Sequence, residues 1–106
     1  MIKSIVKAGV CGFTTTIVAD SQDSQNVSFQ IESDCDKITE LASGLPVVDA
    51  YSEIGAGFDG VVHERVKVVM RGCCSGCVVP CAIFKSMQVA AGLALPKDIA
   101  ITMGKG

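Results

Sequence analysis

The sequence predicts an α+β fold with two layers: an antiparallel or mixed sheet, in the order β-β-β-α-β-α-β, covered by two helices. Three observations carry this. Lys3 to Glu32 reads as a β-meander, β-branched in its second strand and alternating in its third, a helical apolar face follows at residues 35–42, and the longest apolar stretch, Ala82 to Leu95, is punctuated as a helix. At 106 residues, 49% hydrophobic and 19% charged, the chain has the length of a single cysteine-rich domain, 1–106, and enough apolar material for a core. One Tyr, four Phe and no Trp make that core aliphatic.

The elements follow in order. Ile5-Val6 begins the first strand, and the β-branched run Phe13 to Ala19 is the second, with Cys11-Gly12 at the hairpin turn between them. In the third strand Val27, Phe29 and Ile31 alternate with Ser28, Gln30 and Glu32. Ser33 and Asp36 have the spacing of a capping box that starts a helix at about Asp34, with Cys35, Ile38, Leu41 and Ala42 on its inner face and Gly44 as its stop. Pro46 to Ile54 reads either as a short strand at Val47-Val48 or as loop.

Gly55-Ala-Gly57-Phe-Asp-Gly60 has the letters of a dinucleotide fingerprint. That fingerprint must open a helix and precede an acidic residue about 20 positions on. Val61 to Met70 alternates like a strand instead, and Pro80 stands where the acid belongs, so the stretch reads as a flexible loop. In that strand Val62, Val66, Val68 and Met70 share one face, while His63, Arg65 and Lys67 share a solvated one. Pro80 fits the first turn of the long apolar helix. Lys97 to Met103, introduced by Pro96, alternates as a final strand.

Charge and hydropathy narrow the function classes. A net charge of −2 without a basic cluster, and the scarcity of aromatic rings, remove the footprint of a nucleic-acid binder. No uninterrupted apolar run nears the roughly 18 residues of a membrane span, and Lys7 breaks the start before a signal peptide can form. The expectation is therefore a cytoplasmic protein with no membrane partner. In a reducing compartment six cysteines point to metal ligands or reactive thiols before disulfides.

Four of those cysteines, Cys73, Cys74, Cys77 and Cys81, fall within nine residues. Cys74-x2-Cys77 brings two thiolates from one tight turn to a single ion, and Ser75-Gly76 gives the turn its freedom. Cys81, in the first turn of the helix, gains from unpaired N–H groups and the positive end of the dipole, and Arg71 adds positive charge nearby. Cys73 and Cys74, being neighbours, do not readily both face one ion. The expected ligands are Cys74, Cys77 and Cys81, with Cys11 at the hairpin tip as the fourth and Cys35 and His63 as reserves.

An iron–sulfur cluster and zinc both suit such a set, although the bacterial ferredoxin spacing and the two separated pairs of structural zinc sites are absent. The alternative is thiol redox or sulfur-transfer chemistry, with Cys81 as nucleophile and Cys77 or Cys74 as resolving thiol. A third reading is a purely structural assembly module. One lone His and scattered carboxylates supply no general base for a hydrolase. The apolar circumference of the long helix exceeds what a two-layer fold of this size covers, which predicts a homo-oligomer.

Cys11-Gly-Phe-Thr-Thr-Thr-Ile17, Cys35 ahead of Ile38 and Leu41, and Cys77-Val-Val-Pro-Cys-Ala-Ile83 leading to Val89-Ala-Ala-Gly-Leu-Ala-Leu-Pro-Lys-Asp98 resemble a family of small, cysteine-containing, uncharacterised proteins from anaerobic archaea and bacteria. The resemblance implies a cytoplasmic prokaryotic protein of unassigned function and transfers no catalytic residue.

Overall fold

The computed structural model describes residues 1–106. Three strands form an antiparallel meander, β1 (Ile2–Lys7), β2 (Thr14–Asp20) and β3 (Asn26–Ser33). A two-residue strand, β4 (Val48–Asp49), pairs antiparallel with the start of β3, giving the order β1-β2-β3-β4. The helices are α1 (Asp36–Ser43), α2 (Ala50–Ala56), α3 (Val61–Val69) and α4 (Val79–Ala90). The predicted α+β class and antiparallel sheet are present, and two helices cover the sheet: α1 against β3, α4 against β1 and β2.

Strand alternation sets the inner face. Thr15, Ile17 and Ala19 of β2 and Val27 of β3 are fully buried, under Ile38 and Leu41 of α1 and Ile83 and Met87 of α4. Val79, Ile83, Met87 and Ala91 recur at helical spacing, so α4 buries one stripe and not its whole circumference. Within that stripe Ser86 is tolerated because its hydroxyl meets that of Ser4 on β1 at 2.6 Å. Fourteen buried apolar side chains form one cluster drawn from the sheet and all four helices, so α2 and α3 share the core that the sheet begins.

Two predicted strands do not form. Val61 to Val69 is helical because Val62, Val66, Val69 and Met70 also stand at i, i+4, i+7 and i+8; the first and last two are buried and Val66 packs against them. Val68, which the alternation placed inside, is 54% exposed. Lys97 to Met103 pairs with no strand, and the long helix ends at Ala90, ahead of the left-handed Gly92 (φ 76°), short of the expected Leu95.

Caps also differ from the expected ones. Cys35, not Ser33, is the N-cap of α1: its backbone is extended, its carbonyl accepts from Thr39, and its own N–H donates to the Ser33 hydroxyl at 3.1 Å. Gly44 does end α1, at φ −100°, so it is not there for a left-handed turn. It provides clearance: a side chain at Gly44 would collide with the Arg65 guanidinium, whose Nη2 donates to the Glu40 carbonyl at 2.9 Å.

Gly72–Ala90 reaches spanning length by composition, 19 residues at mean hydropathy 1.4, where no such run was expected. It is divided: a 3-10 turn over Gly72–Gly76, extended backbone at Cys77, then the 12 residues of α4. α4 alone is shorter than the roughly 20 residues a span requires.

Candidate functional site

Three segments meet at one end of the sheet. The β1–β2 hairpin turns through Gly9-Val-Cys-Gly12, closed by the Gly12 N–H on the Gly9 carbonyl at 2.9 Å, with Gly9 and Gly12 at φ 87° and 72°. Cys11 stands at its exposed tip. The β3–α1 junction, bearing Cys35, is tied to the hairpin by the Asp34 N–H on the Thr14 carbonyl and the Thr14 N–H on the Asp34 carboxylate, both 3.3 Å. The third segment is the cysteine loop. Lys37 of α1 donates to the Arg71 carbonyl that opens it, at 3.3 Å.

The loop folds Gly72–Gly76 into a 3-10 turn, with the Cys77 N–H on the Cys74 carbonyl at 3.1 Å. Cys74 and Cys77 are thereby half-buried against the core, as is Cys35. Burial raises the Cys77 pKa above the ordinary thiol value, against a backbone hydrogen bond from Val79 that favours the thiolate. The neighbouring thiols of Cys11, Cys35 and Cys74 raise it further. All six cysteines are free thiols. No three His, Cys, Asp or Glu side chains converge closely enough to hold an ion in the chain as it stands.

The cysteine nearest in sequence to Cys77 on the helix side behaves differently. Cys81 occupies the first turn of α4, beside Pro80 as expected, but is exposed and opens onto a cleft of about 640 Å³. Cys77, His63, Phe58, Phe84, Lys67 and Lys85 also line that cleft. Cys73 is exposed. The Arg71 guanidinium, expected to face the thiols, donates from Nε to the Lys67 carbonyl at 3.2 Å at the end of α3.

His63 is not on a solvated face. Its ring lies between Phe58 and Phe84, with centroids 4.7 and 4.9 Å away, and its Nδ1 is buried without a hydrogen-bond partner. Helical numbering would have found it, because His63, Val66 and Lys67 share one flank of a helix and all three line the cleft.

The glycine-rich stretch does open a helix, since Gly60 is the N-cap of α3. Its anion site is nevertheless filled from within the chain. Glu53, buried, accepts from the N–H groups of Val61 at 2.9 Å and Val62 at 2.7 Å. A carboxylate already satisfies the donors a phosphate would use, so the flexible-loop and phosphate readings both give way to a capped helix start.

No curated protein and no solved structure is detectably similar to the chain. Residues 2–103 match the model of a family described as "Family of unknown function (DUF6951)". With nearly its whole length matched, the chain belongs to that family of unknown function.

Proposed function

We propose that the protein is a cytoplasmic metal-binding protein that holds an iron–sulfur cluster or a zinc ion through Cys11, Cys35, Cys74 and Cys77. Relative to the set read from spacing, Cys35 replaces Cys81. The supporting observation is that the hairpin bearing Cys11, the β3–α1 junction bearing Cys35 and the loop bearing Cys74 and Cys77 meet at one end of the sheet, joined by the Asp34–Thr14 and Lys37–Arg71 hydrogen bonds. Brought together, four thiols from these segments would repel one another as thiolates, and a cation is the compensating charge that would let them ionise together. Cys11 stands on an exposed turn with two left-handed glycines and would have to move inward to complete the set. Purification without oxygen, followed by metal and acid-labile sulfide analysis, tests this. About one zinc per chain, or iron with matching sulfide, is expected; a metal-free chain with every thiol titratable would refute it.

A second reading has its own observation, the cleft shared by Cys81 and Cys77. In thiol–disulfide exchange the Cys81 thiolate attacks a substrate disulfide and expels one thiolate. Cys77 then displaces the other, leaving a Cys77–Cys81 disulfide and a reduced substrate. The raised Cys77 pKa slows that second step. Rapid alkylation of Cys81 alone well below pH 8 would favour the exchange reading.

A further inference from the structure

The sheet has a free edge at β1, and the chain carries a segment of strand-like alternation that pairs with nothing. β1 pairs with β2 along one edge and with nothing along the other. Burial declines in step: the inward residues of β2 are fully buried, whereas Ile2, Ser4 and Val6 of β1 are only half-buried. The opposite side of the sheet is better closed, because β4 pairs with the start of β3 and α1 packs on it. Meanwhile Ile99, Ile101 and Met103 are 59%, 64% and 87% exposed at alternating positions, and residues 98–106 make no backbone hydrogen bond. An alternating apolar segment with unpaired backbone and an open apolar edge satisfy the same need.

We propose that residues 97–103 add as a strand to the free edge of β1 in a second copy of the chain, each copy giving its segment to the other in a two-fold dimer. This is β-strand addition within an isologous pair. An antiparallel register that puts Met103 opposite Ile2 and Ile101 opposite Ser4 sends the three apolar side chains into the open side of the core. The same register sets Asp98 opposite Lys7, and neither has an ion-pair partner within its own chain. A parallel register lacks that pairing. Ser4, small and turned to Ser86, leaves room beside it for Ile101.

The test is sedimentation of the full chain over a wide concentration range, in reductant so that the exposed Cys11, Cys73 and Cys81 cannot cross-link copies. A dimer is expected. Successive N–H groups point to opposite sides of a strand, so Ala100→Pro combined with Ile101→Pro removes a ladder donor whichever way the strand faces. That variant, and a chain ending at Pro96, are expected to be folded monomers, because Ile99, Ile101 and Met103 are exposed and the segment contributes no member to the core cluster. Lys7→Glu is expected to weaken the dimer about threefold, and adding Asp98→Lys to restore it. A wild-type monomer at every concentration, a dimer that survives the double proline change, or a dimer indifferent to Lys7→Glu would overturn the proposal. None of these readouts depends on whether the thiols bind metal.

Discussion

Glu53 Oε1 accepts a 2.7 Å hydrogen bond from the backbone N–H of Val62, nine residues on and in a different helix. Its Oε2 takes the Val61 N–H as well, so one buried side chain on α2 fixes where α3 begins. Gly60 makes this possible, since a Cβ there would stand 2.7 Å from Glu53 Oε2. Charged hydrogen bonds to orphan helix donors exceed the weak strand preference of the valines that follow.

Removing that carboxylate should therefore be costly. Glu53→Ala leaves two helix N–H groups without an acceptor and is expected to destabilise the fold by about 2–4 kcal/mol in urea titration. Gly60→Ala displaces the same carboxylate and should fall in the same direction by a smaller amount. If Glu53→Ala lies within about 0.5 kcal/mol of wild type, the level of an ordinary surface change, the cap is not what sets α3.

Gly44 and Arg65 form a second pair whose dependence is steric. The guanidinium crosses over Gly44 to reach the Glu40 carbonyl and finish α1. Gly44→Ala should expel the flexible end of Arg65 and cost about 1 kcal/mol, close to Arg65→Ala, because each removes the same hydrogen bond. In Gly44→Ala/Arg65→Ala the alanine at 44 should be harmless, a non-additivity that thermal melts of the four proteins measure.

How far the sequence speaks for itself shows in these two places. β2, β3, α1 and the start of α4 at Pro80 are legible because each is fixed by residues next to one another in the chain. Val61 to Met70 is not, because its valines fit both periods and the deciding residue, Glu53, lies in the preceding helix. Lys97 to Met103 alternates as a strand does, but a strand requires a neighbour, and none stands beside it within one chain. Among the thiols, the loop cysteines Cys74 and Cys77 could be singled out by spacing. Cys35 could not, since it lies on a different segment and reaches the same end of the sheet only through the β3–α1 junction. Its reading as an inner-face helix residue was close in burial and wrong in position, because it caps the helix instead.

Stability should respond to pH at both extremes, for opposite reasons. Asp23 accepts from the side chain and backbone of Asn26 and from the Gln25 N–H, which lowers its pKa from 3.8 to about 2. The stability it contributes is complete above 3.8 and is lost as pH falls through about 2. Cys77 is shifted upward by burial, so in the metal-free chain its contribution is complete below the ordinary thiol value of 9.0 and declines as pH rises beyond it. Melting temperatures across pH should show both declines. Asp23→Ala should flatten the acid one and Cys77→Ala the alkaline one. An alkaline decline unchanged in Cys77→Ala would show that this thiol is not held protonated.

The central claim is that Cys77 shares a metal centre with Cys11, Cys35 and Cys74, and the most direct measurement is metal and sulfide content in serine variants purified without oxygen. Wild type, Cys73→Ser and Cys81→Ser are predicted to retain about one zinc per chain, or iron with matching sulfide. Cys11→Ser, Cys35→Ser, Cys74→Ser and Cys77→Ser are predicted to lose it or bind it far more weakly. A metal-free wild type with six titratable thiols, or a Cys81→Ser protein that loses metal while Cys35→Ser keeps it, would contradict the account.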